Sequence, residues 1–283
     1  MATLALIIVT AIWGWTFVPV KEAVAEVGPF WFLALRFSLA FLCTIPFLRR
    51  GPLPWREALL LGAFLFGGYF FQTWGLRYTT AQKSGLITGL SVVLVPIVAR
   101  FLGERVSRRA ALGVVLAGLG VAFLSLGAET GGEGSLFGDL LTVICAVSFA
   151  LYIAFLARYA RSTGIGPLLP LQLAVVAVLS FLGAGLFGEV RWPLSSQAWK
   201  ALVITGILAS ALAYYVLAWA ESRASATKTA VILAMEPVFA AFFGWLLLGE
   251  TLSSLQLGGA LLVLSGIFVV SAVDPGKKGP DNR

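Results

Sequence analysis

The chain has 283 residues, of which 59% are apolar and 12% are charged, whereas soluble domains are roughly 45 to 50% apolar and about 25% charged. This composition, with a mean hydropathy of +0.96, excludes an ordinary soluble domain and indicates a membrane protein. The net charge is +7, but the basic residues are spread over many short connectors, so no nucleic-acid partner is predicted. The chain has no His, which excludes imidazole bases and His-ligated metals, and we predict no catalytic residue, metal site or cofactor.

Ten apolar runs are each long enough to cross a bilayer, which takes about 20 residues. They cover residues 2 to 20, 30 to 48, 57 to 76, 81 to 101, 110 to 127, 136 to 157, 168 to 187, 200 to 219, 225 to 247 and 255 to 273. The predicted fold class is therefore an all-α membrane protein with ten transmembrane helices, surrounded by the lipid bilayer. The polar end, residues 274–283, is predicted to be a disordered cytoplasmic tail.

The distribution of Lys and Arg predicts how the chain lies in the membrane. If the N-terminus is cytoplasmic, 14 of the 20 basic residues fall on the cytoplasmic side, as expected from the excess of Lys and Arg in cytoplasmic loops. Ten spans place the C-terminus on that side too. Lys21 and Arg36 then lie near the outer ends of the first two spans, where snorkelling to the interface explains them; capture of an anionic solute is the alternative.

The second half of the chain repeats the first. When the sequence is shifted by 146 positions, residues 102–125 and 248–271 share eight identities in 24 ungapped positions, including LGERVS over LGETLS. This predicts two five-helix repeats, residues 1–128 and 136–273. Because five is odd, the second repeat enters the membrane from the opposite side, and such inverted halves are typical of carriers that expose a central midplane cavity to each side in turn.

Several short motifs carry a family resemblance. WGWTFVPVK from Trp13, LRF from Leu35, GERVS from Gly103 and MEPVFAAFFGWLLLGETLS from Met235 resemble the EamA-type, ten-helix branch of the drug/metabolite transporter superfamily. The resemblance covers nearly the whole chain and makes each half an EamA-type repeat. It implies a carrier in a prokaryotic cytoplasmic (inner) membrane that moves small metabolites, often amino acids, outward. Trp13 becomes a candidate site residue on this resemblance alone.

Glu236 stands in the middle of the apolar ninth span and is followed by Pro237. Intramembrane acids usually face the bundle interior or a water-filled cavity. Pro237 lacks an N–H, so the carbonyl of Leu233 loses its helical partner and a helix break is expected there. Three roles of Glu236 stay open: a proton carrier, a ligand for the ammonium of an amino-acid-like solute, or a structural hydrogen bond to a neighbouring helix.

Other polar and aromatic residues within the spans are further candidates for binding the solute or a proton. They are Tyr69, Gln72, Thr88, Ser91, Gln172 and Tyr215. The two glutamines are favoured because an unpaired amide facing lipid is costly, whereas an aromatic residue is also explained by helix packing or an interfacial belt. Ser91 occupies the position that matches Pro237, and the nearest proline is Pro96, so the fourth span is expected to bend at a different height from the ninth.

Three further patterns have structural interpretations. The glycines of the fifth and tenth spans are spaced for close helix packing, between the halves or between protomers of a possible homodimer. Glu104 and Glu250 each follow a Gly at the end of a span and are interpreted as marking helix termini. Cys43 and Cys145 lie in separate apolar spans and are interpreted as small buried side chains.

The leading hypothesis is a secondary transporter, exporter or exchanger, of small metabolites such as amino acids. The glycines lack the GK[ST] ending of a P-loop, so an ATP-driven pump is not predicted. A membrane-embedded enzyme on lipid or prenyl substrates is the rival from another class, but a single acid at membrane depth, Glu236, does not supply its chemistry. A non-transporting membrane scaffold is the third possibility.

Overall fold

The computed structural model describes residues 1–48, 53–75, 78, 87–126, 136–248 and 253–271. Within these ranges there is no β-strand. The helices are α1 (Ala2–Val27), α2 (Pro29–Thr44), α3 (Trp55–Gly75), α4 (Ser91–Phe101), α5 (Arg108–Leu126), α6 (Leu136–Ser162), α7 (Ile165–Leu186), α8 (Ser196–Gly206), α9 (Ala213–Glu221), α10 (Ala226–Leu233), α11 (Met235–Leu248) and α12 (Ser254–Ser271). A 3₁₀ turn (Ile45–Phe47) follows α2, and a π-helical segment (Ile207–Leu212) joins α8 to α9.

Seven helical segments among the described residues are long and apolar enough to cross a membrane. They are Pro29–Phe47, Trp55–Gly75, Leu136–Ser162, Ile165–Leu186, Ser196–Glu221, Ala226–Leu247 and Ser254–Ser271. Shorter apolar helices cover Ala2–Thr16 and Ile87–Phe101. The all-α membrane fold is thus confirmed, while the count of ten spans stays a prediction.

The two halves start with the same helix pair. Gly28 joins α1 to α2 with φ 83° and ψ 149°, and Gly164 joins α6 to α7 with φ 79° and ψ 153°. A positive φ of this kind is accessible to Gly at no steric cost. Each half therefore begins with two long helices connected through one glycine of nearly identical conformation.

Helices α5 and α12 touch backbone to backbone through four glycines. A Cβ on Gly120 would lie 2.6 Å from the carbonyl oxygen of Gly259, and a Cβ on Gly259 would lie 2.7 Å from that of Gly120. Gly113 and Gly266 meet in the same reciprocal way, at 2.9 and 2.7 Å. The two helices are antiparallel. A shift of 146 residues takes Gly113 to Gly259 and Gly120 to Gly266, so the two contacts are equivalent under the repeat. These glycines thus pack the two halves together, which is one of the two alternatives predicted for them.

The ninth predicted span is interrupted near its acid. Helix α10 ends at Leu233 and α11 begins at Met235, which agrees with the loss of the Pro237 N–H as a partner for the Leu233 carbonyl.

The expectation about Pro96 is not met. Pro96 is buried inside the continuous helix α4, and the helical turn breaks at Leu90, six residues earlier. The two interruptions, at Leu90 and Ala234, are thus nearly equivalent in the repeat. Membrane helices tolerate proline because neighbouring groups satisfy the freed carbonyl, so Pro96 does not fix the height of the bend.

Candidate functional site

Arg36 lies in the middle of α2 and is only 6% exposed. Its Nε donates to Ser210 Oγ at 2.7 Å, and its Nη2 donates to the carbonyl oxygen of Ala209 at 3.3 Å. The interpretation of Arg36 as a side chain that snorkels from the outer end of the span is therefore wrong. The two acceptors of Arg36 come from a segment 173 or more residues away in the sequence. A local sequence pattern does not reveal a contact of that kind.

The π-helical segment supplies the acceptors. Its Ala209 carbonyl, which has two lone pairs, also accepts from Trp13 Nε1 at 2.8 Å. π-helical turns are rare and occur often at functional sites, because the widened turn re-aims backbone groups. One carbonyl of the π segment thus ties α1 to α2.

Aromatic rings surround the guanidinium group. The Arg36 Cζ atom lies 5.8 Å from the centre of the Tyr69 ring, within the range of a cation–π contact. Tyr69 and Tyr214 share a hydrogen bond of 2.8 Å between their hydroxyls, and the Trp13 ring centre lies 5.7 Å from that of Tyr214. We call Arg36, Ser210, the Ala209 carbonyl, Trp13, Tyr69 and Tyr214 the Arg36 cluster.

Glu236 lies in the first turn of α11, partly buried. It shares a helix face with Ala240, four residues on, and Ala240 packs against Gly14 of α1, where a Cβ would lie 2.8 Å from the Ala240 nitrogen. The Arg36 guanidinium exerts its charge on the Glu236 carboxyl, but the two do not form an ion pair. No described residue donates a hydrogen bond to Glu236. Glu236 therefore lies within electrostatic reach of Arg36 without an ion pair between the two.

A second group of buried polar side chains lies beyond Tyr214, whose ring centre is 5.9 Å from that of Tyr152. It comprises Tyr152 of α6, Gln172 of α7, Glu221 of α9 and Thr229 of α10, all 0 to 2% exposed. Gln172 lies beside the Tyr152 hydroxyl and Thr229 beside the Glu221 carboxyl, but their polar atoms make no hydrogen bond of normal geometry. We call these four residues the Glu221 cluster. The candidate Gln172 belongs here and not with Arg36.

Glu221 was missed by the sequence analysis, which counted one acid at membrane depth. It follows Trp219 by two residues and was placed just beyond the eighth span, where an acid is unremarkable. Its burial comes from α6, α7 and α10, which pack around the end of α9. The signal available in the sequence was a carboxylate directly after the aromatic run AYYVLAWA.

The remaining sequence candidates are spread over the bundle. Gln72 lies one turn after Tyr69 on α3 and is partly buried. Tyr215 stacks on Phe47, with ring centres 5.3 Å apart. Thr88 Oγ1 lies 3.8 Å from Cys145 Sγ, and Ser91 begins α4. Among the described residues, no hydrogen bond or ring contact joins the side chains of Tyr215, Thr88 or Ser91 to the Arg36 cluster.

Acidic side chains hold helix N-termini at both ends of the bundle. Glu104 accepts from the Ala226 and Thr227 nitrogens at 3.0 and 3.2 Å and from Thr227 Oγ1 at 2.8 Å. It thereby caps α10 and favours the helix dipole, a structural role that also links the halves. We call Glu104, Arg161 and the connection from α9 to α10 the Glu104 end. Glu250, the matching acid, and residues 274–283 lie outside the described residues.

At the opposite end, Glu26 accepts from the Ser195 nitrogen at 2.9 Å and from Ser195 Oγ at 2.6 Å, at the start of α8. Glu189 accepts from the Phe30 nitrogen at 2.7 Å, at the start of α2. A surface pocket of about 480 Å³ lies here, lined by Glu26, Arg191 and Trp192 among others. We call this region the Glu26 end. A second pocket, of about 290 Å³, lies between α4 and α5, so neither is the predicted midplane cavity beside Glu236.

Comparisons with known proteins place the chain among transporters. The EamA-like transporter family matches residues 1–126 and 136–272. An uncharacterized transporter of Archaeoglobus fulgidus is 36% identical over 271 residues, covering 95% of this chain and 85% of that one. A probable amino-acid metabolite efflux pump of Salmonella typhimurium is 26% identical, covering 93% and 92%. One crystal structure shares the fold with a TM-score of 0.82 at 26% identity, over 96% of both chains.

Proposed function

We propose, from the premise that this chain belongs to the EamA-like transporter family, that it carries amino acids or related zwitterionic metabolites across the membrane. The chain is a small-molecule transporter and not an enzyme, as the family and the names of its relatives show. The observation behind the choice of solute is the pair formed by Arg36 and Glu236. They are a basic and an acidic side chain within electrostatic reach of each other, and no ion pair joins them.

Arg36 is suited to the carboxylate of such a solute. Two of its nitrogens are held by Ser210 and the Ala209 carbonyl, so the guanidinium plane is fixed before a ligand arrives. Its Nη1 has no partner among the described residues. Arg recognises carboxylates through its planar fork, and a fixed side chain loses less entropy on binding.

Glu236 is suited to the ammonium group. Because no described residue donates a hydrogen bond to it, a solute ammonium would supply its partner and form a charge-assisted hydrogen bond. Trp13, Tyr69 and Tyr214 would offer an apolar wall with polar tips for the side chain of the solute. A zwitterion would bridge the two charges, which neither a simple anion nor a simple cation does.

The wider setting of the proposal follows from the repeat. We propose two repeats, residues 1–128 and 136–273, which alternate between open states around this site in a prokaryotic cytoplasmic membrane, with both termini cytoplasmic. The name of the Salmonella relative supports outward movement of amino-acid metabolites. Alternation would require the acid caps of the Glu104 end and of the Glu26 end to open in turn.

Counterflow into proteoliposomes tests the proposal. We would load the purified protein's vesicles with one unlabelled solute of a panel of amino acids, their 2-hydroxy acid analogues and nucleosides, and follow uptake of the same labelled solute. We expect exchange of at least one amino acid, with its 2-hydroxy analogue exchanged at least about tenfold more slowly, as expected for one lost charged hydrogen bond.

Variants separate the roles of Glu236. Glu236→Gln should lose the discrimination between the amino acid and its 2-hydroxy analogue, whereas Glu57→Gln, which changes a partly exposed acid in the first turn of α3, should retain it. If Glu236→Gln instead keeps that discrimination and loses only its response to a pH gradient, the residue carries a proton and not the ammonium. Exchange of no solute in the panel would contradict the proposed solute class.

A further inference from the structure

We infer that Glu221 is a second binding site of this protein, one for a proton, which is occupied while the Glu104 end is closed and emptied when that end opens. The inference rests on the proposed transport cycle for its use, but the occupancy of the site is measurable without any solute.

The first argument is burial without a partner. Glu221 is 0% exposed, and neither of its carboxyl oxygens accepts a hydrogen bond of normal geometry. The Thr229 hydroxyl is a neighbouring donor, but a single hydroxyl does not replace the water around an ionised carboxylate, so that form is strongly unfavourable here. Buried polar atoms without partners call for an explanation such as an unseen proton, water or ion, and a bound proton removes the charge without requiring more space.

The second argument is the charge of the surroundings. Among the described residues, the titratable groups that act on Glu221 are Glu104, Arg161 and Tyr152. Glu104 accepts three hydrogen bonds, as an ionised carboxylate does, and a second negative charge beside it is disfavoured. Arg161 is the counter-charge, but its Nη2 donates to the Ala224 carbonyl. Helices α7 and α10 contribute only the neutral Gln172 and Thr229.

A proton fits the site better than a larger ligand. The four side chains of the Glu221 cluster are enclosed, at 0 to 2% exposure, so a metabolite has no access in this conformation. No group of three or more acidic, His or Cys side chains suitable for a metal ion exists in the described part of the chain.

The position of Glu221 in the chain links its proton to the opening of the Glu104 end. Glu221 is the last residue of α9, and α10 begins at Ala226, where Glu104 caps it. Opening of the Glu104 end requires Glu104 to leave the N-terminus of α10, which lets water reach Glu221. The O–H bond of the acid then breaks and the proton passes to water; on closing, a proton from water re-forms that bond. The proton leaves and returns at the Glu104 end alone, so each cycle exchanges it with water on that side of the membrane and carries none across. Acid on that side therefore favours the closed state.

Infrared spectroscopy of the reconstituted full chain tests the occupied state. At pH 7 we expect a C=O stretching band of a protonated carboxylic acid that is absent from Glu221→Gln and retained in Glu57→Gln. Glu236→Gln is measured in parallel, so that a band from Glu236 is separated from that of Glu221. An unchanged acid band in Glu221→Gln would overturn the inference. So would a Glu221 carboxylate band that shifts on adding NaCl, because it would assign the site to Na⁺.

Transport measurements test the coupling. When the pH is lowered equally on both sides, counterflow of an exchanged amino acid by wild-type vesicles should slow, because acid favours the protonated, closed state, and Glu221→Gln should lose that pH dependence. A pH dependence equal to wild type in Glu221→Gln would overturn the coupling. If no solute of the panel is transported, the proposed function fails, while the infrared band still decides whether Glu221 holds a proton.

Discussion

The Arg36 cluster and the Glu221 cluster are neighbours in the bundle and opposite in their hydrogen bonding. Arg36, Trp13, Tyr69 and Tyr214 all have hydrogen-bond partners among the described residues, whereas six buried polar atoms of the Glu221 cluster have none. A satisfied network is rigid and pre-organised, as a binding surface requires. A network with unsatisfied polar atoms needs a proton, water or ion from outside the protein as their partner. The contrast separates the part that recognises the solute from the part that responds to its surroundings.

Arg36→Leu should break the first side of this contrast and have the largest effect. It would leave Ser210 Oγ without the Arg36 donor, at about 1 to 3 kcal/mol for an unsatisfied buried group, while the Ala209 carbonyl keeps its bond from Trp13. We expect the melting temperature in detergent to fall by roughly 4 to 10 °C and counterflow to disappear. Arg36→Lys keeps the positive charge, but its single ammonium does not reproduce the planar fork. Its melting temperature and counterflow should lie between those of the wild type and Arg36→Leu. Wild-type stability in Arg36→Leu would show that the cluster is not a rigid scaffold.

Gly259→Ala tests whether the frame around both clusters is as tightly packed as described. Its Cβ would lie 2.7 Å from the backbone of α5, whereas a Cβ on the adjacent Gly258 meets nothing within 4 Å. We expect Gly259→Ala to destabilise by about 1 to 3 kcal/mol through overpacking. Gly258→Ala should be neutral or stabilising by up to about 1 kcal/mol, since Ala favours helix. Thermal unfolding of the two variants in detergent measures the difference, and equal melting temperatures would contradict the contact.

Two tyrosine-to-phenylalanine changes sharpen the comparison directly. Tyr69→Phe removes the 2.8 Å bond to Tyr214 and should cost about 1 kcal/mol. Tyr152→Phe removes a hydroxyl that has no hydrogen bond of normal geometry and should be neutral or slightly stabilising. Both variants keep the aromatic ring, so denaturation midpoints compare the hydroxyls alone. Equal losses would mean that the Tyr152 hydroxyl is bonded as well as that of Tyr69, with the neighbouring Gln172 as its partner.

The smallest expected effect is at Glu26. This residue lies in the last turn of α1, beyond its apolar part, and belongs to neither cluster. Hydrogen bonds from the Ser195 side chain and backbone lower the pKa of Glu26 below its ordinary value of 4.5. Since the folded pKa is depressed, the stabilisation is present above that ordinary value and is lost as pH falls through the folded pKa. The wild type should melt slightly above Glu26→Gln at pH 7, and the difference should shrink as the pH falls below 4.5 towards the folded pKa. A difference that persists in acid would contradict a role of the charge.

Sequence reasoning reached the features that depend on local or repeated patterns. The glycine contact between α5 and α12 followed from spacing and the repeat, and the helix break next to Glu236 followed from the missing N–H of Pro237. Arg36 and Glu221 were misjudged because their surroundings are built from distant segments. The acceptors of Arg36 come from a π-helical turn that composition does not reveal. Glu221 is buried by three other helices although it ends its own.

The reciprocal glycine contact also bears on how such a chain arises. Gly113 meets Gly266 and Gly120 meets Gly259, and the repeat turns each pair into the other, which is the definition of an isologous interface. A single five-helix ancestor that inserted in both orientations would make the same contact with a copy of itself. Gene duplication and fusion would then preserve an interface already in use. Later substitutions in only one copy, such as Pro237 opposite Ser91, would give the two halves different roles.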